Sequence, residues 1–548
     1  MTTTTTTLEN PAAMTVAEAL AQAMVEAGVR RIYGVPGGGS SLDVIEAAAR
    51  RGIGFTLTKT ENAAVMMAGA LAESTGRLGV ALMTKGPGVA NAANGVAYAS
   101  LDRAPVLVIT DGFTPAQLGY ITHQVFDQRG MLAPVVKGHG RLEGEDAGAE
   151  IRRLVALALA APCGPVHIEL TSSAARKPLA RPLPEAVAAR PARADAIRLE
   201  EAAARIAAAR RPVIVAGLEA RRAAPQLRAL AERLCCPVLP TYKGKGVLPD
   251  RHELVTGVFT GGAQEQECVR QADLIVLVGL DPVELILQPW PYDIPVLDIG
   301  VRAYPVHYVK PVLGVYGELA ASLEALCVQG VAGSHWEPGE IARLRGNVQR
   351  ALAYGPVAQG VAPDRLVQLT AEACARAGWR ARVAVDAGAH MFSATAFFPC
   401  EEPGDCLISN GLASMAFGVP AAIAAALEDP SRPVVCFTGD GGLMMCMGEL
   451  CTAVEAGARI LVVVFNDGAL SLIDVKQQSR RLPTRGVRWG RHDFARVMDG
   501  AGGAGWRVRD EDGLRTALQA ALAASGPALI DVEVEPAGYA QQLKAMRG

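Results

Sequence analysis

Apolar residues recur along this chain with two alternating spacings, one of helices and one of short strands. Thr15, with Glu18 three positions on, leads into Val16, Leu20, Ala23, Met24 and Ala27, a helical spacing that stops at Gly28. Arg31–Val35 then reads as a strand ending at Pro36-Gly37-Gly38-Gly39. The alternation continues with a helix near 42–50, a strand near 55–58, a helix from Glu61, and strands at 79–84, 105–110 and 166–170. Strands that alternate with helices predict an α/β fold with a parallel sheet covered on both faces.

The pattern is interrupted twice. Residues 179–198 are rich in Ala, Arg and Pro and read as a linker, as does the stretch 336–362. Between them, strands are predicted at 212–217, 237–239, 274–279 and 296–299, and beyond them at 383–386, 433–438, Ile460–Asn466 and 529–534. The expected organisation is therefore a disordered tail (1–13), then three doubly wound parallel-sheet domains at 14–178, 199–335 and 363–548.

At 548 residues, half of them hydrophobic, the chain is long enough for about three cores and has nothing of a disordered composition. A formal net charge of -2 without a basic stripe gives no long-range attraction for nucleic acid or an anionic membrane, which leaves a small-molecule substrate. The threonine-rich start lacks the basic and apolar regions of a secretory signal, and runs such as Ile460–Asn466 are too short to span a bilayer. Eleven scattered cysteines without C-x-x-C spacing fit reduced side chains of a cytoplasmic protein. No G-x-G-x-x-G turn stands at the start of a helix with a ribose-binding acid beyond it, so a dinucleotide-dependent dehydrogenase is a poor alternative.

The chemistry concentrates in the third domain. An apolar strand runs into Thr438-Gly439-Asp440-Gly441-Gly442, a helix with Leu443, Met447, Leu450, Cys451 and Val454 on one face follows, and a second apolar strand ends at Asn466-Asp467-Gly468. Glycines let the backbone approach a phosphate, and a helix N-terminus favours its charge. Asp440 and Asn466 supply oxygens for a hard cation such as Mg²⁺, which commonly bridges carboxylate and phosphate. A lone G-D-G is more often an ordinary tight turn, and the pairing with Asn466 is what gives it weight. In the first domain, Glu61 follows a strand and opens an apolar helix, which by itself is an ordinary acidic helix start.

Together these segments resemble thiamine-diphosphate enzymes of the acetolactate synthase-like group over almost the whole chain. The resemblance implies that the three domains are pyrimidine-binding, central and diphosphate-binding, and that Asp440, Asn466 and the carbonyl of Gly468 hold Mg²⁺. It makes Glu61 the catalytic acid on the cofactor's aminopyrimidine nitrogen. Pro36, Gly37, Gly88, Ala389, His390, Ala413, Met415, Gly439, Gly441 and Gly442 become cofactor contacts, with Met415 under the bent molecule. Gly38, Lys85, His123, Gln124, Leu470, Ser471 and Leu472 become candidates for the substrate pocket, and Lys137 falls where the family has a lysine. Thr84-Lys85-Gly86-Pro87-Gly88 and Asn94-Gly95 are similar to turns of the same group.

Two departures bear on the reaction. The chain has no His-His pair of the kind pyruvate decarboxylase-type relatives use, and Leu280-Asp281-Pro282-Val283-Glu284 replaces the Arg-Phe-Asp-Asp turn of flavin-binding members, so FAD is expected to be absent. The leading expectation is a carboligase that decarboxylates a 2-oxo acid such as pyruvate and transfers the acyl unit to a second carbonyl. An acyloin or 2-hydroxyacyl(-CoA) lyase and a 2-oxo acid decarboxylase are the enzymatic alternatives, and a silent regulatory subunit the other class. Because Glu61 and the metal residues lie on different domains, the resemblance implies a homodimer or homotetramer with active sites at the subunit interface.

Overall fold

The computed structural model describes residues 14–187, 191–286, 289–304, 309–328 and 333–548. The reading of 1–13 as a disordered tail lies outside these residues, as do positions 188–190 of the first linker. The described residues divide near residue 189 into two compact units, with residues 73–75 grouped with the second.

The first unit is built on six parallel strands: β1 (Arg31–Val35), β2 (Gly54–Leu57), β3 (Gly79–Met83), β4 (Val106–Asp111), β5 (His139–Arg141) and β6 (Val166–Leu170), in the order β2-β1-β3-β4-β6-β5. β3 and β4 are buried at every position, as a sheet covered on both faces requires, and their sequences are accordingly almost unbroken apolar runs. One core gathers Leu20 and Met24 of the first helix with Ile32, Val80, Leu107 and Ile168 of the strands. The first helix, Val16–Glu26, begins with Thr15 and Glu18 bonded reciprocally, as its sequence predicts.

Asn94-Gly95 is not a turn. Both lie inside the helix Pro87–Leu101. A Cβ on Gly95 would stand 2.8 Å from both the Asn62 carbonyl and the Val65 side chain, and one on Gly69 would stand 2.6 Å from the Tyr98 ring. The two glycines let this helix press against the helix Glu61–Thr75, which is how Glu61 is held in place.

The second unit contains two sheets. The central one is made of β7 (Pro212–Ala216), β8 (Val238–Pro240), β9 (Leu274–Val278), β10 (Val296–Gly300) and β11 (Leu313–Tyr316), in the order β11-β10-β9-β7-β8. The other has β12 (Arg382–Val385), β13 (Cys406–Ile408), β14 (Val434–Gly439), β15 (Ile460–Asn466), β16 (Ala504–Val508) and β17 (Ala528–Glu533), in the order β13-β12-β14-β15-β17-β16. Numbered within itself, this last sheet has the same strand order as the first, so the chain repeats one wiring at its two ends.

The stretch 336–362 carries a helix, Pro338–Leu352. Its Ile341 and Leu344 enter the core around the central sheet while Leu352 enters the core around the last one, so this connection is itself part of the packing. The helix expected to carry Leu443 through Val454 is two short ones, Asp440–Cys446 and Glu449–Glu455, separated at Met447-Gly448. Leu443 and Leu450 are buried, whereas Met447 is 38% exposed and belongs to no core face.

Candidate active site

Doubly wound sheets take their ligands outside the carboxyl ends of strands, where the winding reverses. In the last sheet that place lies between β12 and β14, and the chain continues there as Asp386-Ala387-Gly388-Ala389-His390 and as Asp440-Gly441-Gly442. Asp386 is wholly buried and accepts hydrogen bonds from the Thr438 hydroxyl (2.9 Å) and from the backbone N–H groups of Ala387 (2.8 Å), Ala416 (3.2 Å) and Phe417 (3.2 Å). It therefore ties both strand ends to the loop 410–417. Burial pushes its pKa up to about 6, against these donors.

Asp440 lies at the first position of its helix, buried, with Oδ1 on the N–H of Gly441 (2.7 Å) and Oδ2 on the N–H of Gly468 (2.8 Å). Gly442 can only be glycine, since a Cβ would sit 2.3 Å from Asp386 Oδ2. A Cβ on Gly439 would come 3.2 Å from the His390 ring. Asn466 ends β15 fully buried, and its Nδ2 donates to the His492 carbonyl (2.9 Å) and to Asp531 Oδ1 (2.8 Å). Both partners are acceptors, which fixes the amide orientation and leaves Oδ1 buried with no donor. Burial, with the Asp467 carboxylate nearby, pushes Asp440 up to about 7, and burial pushes Asp467 up to about 6.

An acceptor without a donor beside carboxylates that resist ionisation is an environment a divalent cation would satisfy. Among the described residues no three His, Cys, Asp or Glu side chains form a metal cage. What the site offers is one carboxylate, one amide oxygen and backbone carbonyls, the incomplete oxygen set that suits Mg²⁺ completed by water and phosphate. Gly468, at φ +73°, has the left-handed backbone that the turn after β15 needs, and a Cβ there would meet the Trp489 carbonyl at 2.9 Å.

His390 opens the helix His390–Phe397, its ring 5.4 Å from that of Phe465. Burial depresses its pKa to about 4, so the ring is neutral at physiological pH, and its buried Nε2 has no partner. Ala413 and Ala416 both carry positive φ, +54° and +69°, a strained backbone for a residue with a Cβ. Met415 is half-buried between them, and Ala413 is exposed.

In the first unit, Thr60 caps the helix that Glu61 begins, accepting from the N–H of Ala63 (3.2 Å). Asn91 Nδ2 donates to Glu61 Oε2 at 2.5 Å. A Cβ on Gly88 would approach Glu61 Oε1 to 3.3 Å and Thr84 to 3.1 Å. Pro36 and Gly37 follow β1, and a Cβ on Gly37 would strike Asp111 Oδ2 at 2.2 Å, whereas Gly38 faces open space. Asp111 Oδ1 collects the Ser40 hydroxyl (2.7 Å), the Ser41 N–H (2.8 Å) and the Ser41 hydroxyl (3.0 Å), while its buried Oδ2 has no donor.

The residues considered for the substrate pocket divide. Lys85 Nζ stands 4.6 Å over the Phe113 ring, and Lys137 Nζ donates to the carbonyls of Leu157 and Ala160, which makes it a cap for the helix Ala147–Leu159. Ser471 spends its hydroxyl on Asp467 (2.6 Å), in the turn after β15. His123 and Gln124 are exposed, Gln124 at φ +60° with its backbone against Gly86, and Leu470 and Leu472 are half-buried. Sequence reasoning passed over Asn91, Asp111, Asp386 as a clamp, and Gln128, whose Oε1 accepts from the Gly86 N–H at 2.7 Å. Asp111 could have been found, because it ends an apolar strand just as Asp440 follows one.

Buried Asp440 and Asn466 among close-packed glycines at the strand ends of one sheet, and a helix-opening glutamate on a sheet of identical wiring, fit the class of thiamine-diphosphate enzymes. Three family models match the chain: the N-terminal TPP binding domain of thiamine pyrophosphate enzymes at residues 14–131, the central domain at 199–326 and the C-terminal TPP binding domain at 386–532. The chain belongs to this family. It is 31% identical, over 95% of its length and 94% of the relative's, to a Pseudomonas aeruginosa protein named probable 2-ketoarginine decarboxylase AruI. It is also 28% identical to the acetolactate synthase isozyme 3 large subunit of Escherichia coli, covering 92% of each, and 27% identical to the acetolactate synthase of Bacillus subtilis, covering 95% and 93%.

Proposed function

We propose that this chain is an acetolactate synthase-like carboligase, which decarboxylates a 2-oxo acid such as pyruvate and passes the acyl unit to a second carbonyl compound. The observation that supports the cofactor assignment best is the buried Asn466 Oδ1 without a donor beside Asp440. In this reading Asp440, Asn466 and the Gly468 carbonyl hold Mg²⁺, while Gly439, Gly441 and Gly442 leave room for the diphosphate and Ala389 and neutral His390 meet it. Bound thiamine diphosphate supplies a carbon nucleophile that also serves as an electron sink. Met415 would pack under the bound cofactor, and the Ala413 carbonyl would accept from its amine. Glu61, oriented by Asn91, holds the proton at the aminopyrimidine nitrogen, and Pro36, Gly37 and Gly88 shape the space beside that ring. Gly38, Lys85, Gln124 and His123 on one side and Leu470 and Leu472 on the other remain the candidates that select substrate.

The reading includes no flavin. It places the protein in the cytoplasm as a homodimer or homotetramer, Glu61 of one copy serving the metal site of another. No helix among the described residues is long and apolar enough to cross a membrane. The 31% identity to a protein named as a decarboxylase favours a second reading, release of an aldehyde after decarboxylation without transfer. The test is incubation of the purified protein with thiamine diphosphate, Mg²⁺ and a panel of 2-oxo acids, pyruvate and 2-ketoarginine included, with and without carbonyl acceptors. Acyloin or acetohydroxy acid products support carboligation, and CO₂ with free aldehyde alone supports the second reading. The absence of CO₂ from every donor contradicts both.

A further inference from the structure

The central sheet reverses its winding between β7 and β9, and the crevice outside the carboxyl ends of such a pair is where an open α/β sheet takes a nucleotide. Here that crevice is filled by the chain itself. Glu284, 2% exposed, turns its Oε2 to the N–H of Leu218 after β7 (2.9 Å) and to the N–H of Asp281 after β9 (3.0 Å). Its Oε1 accepts from the Thr241 hydroxyl after β8 (2.5 Å). Glu219 does the same one strand further out, with Oε2 on the N–H of Val301 after β10 (3.1 Å) and Oε1 on the Tyr304 hydroxyl (2.9 Å). These two carboxylates thus engage five donors at the ends of four strands.

The backbone closes the same place. A Cβ on Gly217 would lie 2.4 Å from Leu280 Cα and 2.7 Å from Glu284 Oε2, and one on Gly279, at φ +61°, would lie 2.5 Å from the Ala220 nitrogen. The two strand ends therefore approach each other closely beside the donors that Glu284 occupies. We infer that Glu219 and Glu284 stand in for the phosphates of a nucleotide, so that the central domain takes neither ADP nor a flavin dinucleotide. The residues here do not fit such a group. Arg221 on the same turn has a buried Nη1 without a partner, a cation of this turn that an anion could meet in the wild type.

The inference holds whichever carbonyl reaction the enzyme performs. Its test is equilibrium dialysis of the protein saturated with thiamine diphosphate and Mg²⁺, which blocks the other diphosphate site, against labelled ADP and against FAD. The wild type is expected to bind neither at 1:1 stoichiometry in the micromolar range (~10⁻⁶ M), and such binding would overturn the inference. Glu219→Ala with Glu284→Ala frees the five donors and is expected to bring ADP binding at least about tenfold tighter than wild type. A folded double variant with unchanged ADP affinity would overturn the stand-in role. Should the double variant not fold, Glu284→Ala alone, which frees the three donors at the crevice itself, carries the same expectation. Glu284→Gln keeps the shape and one acceptor oxygen and is expected to gain nothing, whereas ADP binding by it would count against the inference.

Discussion

At the scale of single residues, position rather than residue type separates the chemical groups from the structural ones. Glu61 and Glu18 both lie in the first turn of a helix, yet Glu18 is consumed by its own capping box whereas Glu61 meets the Asn91 amide and lies beside a glycine that leaves it room. Glu61→Gln is expected to lower kcat by about 10²–10⁴, the usual span for losing a general acid or base, with thermal stability and Mg²⁺-dependent cofactor affinity little changed. Steady-state kinetics beside a binding titration would check it. Gly442→Ala drives a methyl group into Asp386 and is expected to cost about 1–3 kcal/mol of stability, read as a lower urea midpoint, together with weaker cofactor binding. An unchanged midpoint would mean that the Asp386 clamp yields freely.

At the scale of elements, the interior strands were legible in the sequence because parallel strands buried on both faces are apolar runs. β5, β11, β13 and β16 were not. All four are sheet edges, where one side lacks a partner, and two of them, His139–Arg141 and Ala504–Val508, are partly exposed and carry arginine. Asn94-Gly95 misled for another reason: glycine signals a turn locally, whereas here it serves the contact of two helices far apart in sequence. Gly95→Val is therefore expected to separate those helices, lowering stability by about 1–3 kcal/mol and kcat with it, since Glu61 rides on the displaced helix. Circular-dichroism melts alongside kinetics would test the coupling, and a loss of stability with full kcat would contradict it. Asp440, Asn466 and Glu61 stand out in the sequence as candidates because strand-end motifs mark them. Asn91, Asp386 and Gln128 do not, because their importance comes from partners 30 to 52 positions away.

At the scale of the whole molecule, buried acids outside the cofactor site link stability to pH. Burial raises Glu265 and Glu284 to about 7 and Asp298 to about 6. An acid whose pKa is raised on folding binds more protons in the folded state between its unfolded and folded pKa values, so its contribution is full below about pH 4.5 and is lost as pH rises toward 7. Glu284→Gln is expected to remove on the order of 3 kcal/mol of that slope, seen as a flatter thermal midpoint between pH 5 and 7.5 than wild type. An equal slope in both proteins would place the titration elsewhere. The proposed subunit arrangement also predicts that mixing inactive Glu61→Gln and inactive Asp440→Ala chains, after exchange, restores activity at one pairing of sites. No recovery in a mixture shown to contain hybrid dimers would argue against sites shared between copies. The central claim, a metal-held cofactor served by Glu61, is met most directly by one titration of thiamine diphosphate, with and without Mg²⁺, into wild type, Asp440→Ala and Glu61→Gln. The account expects Mg²⁺-dependent binding in wild type and Glu61→Gln and its loss in Asp440→Ala. Binding by Asp440→Ala as tight as wild type, or none by wild type, would contradict it.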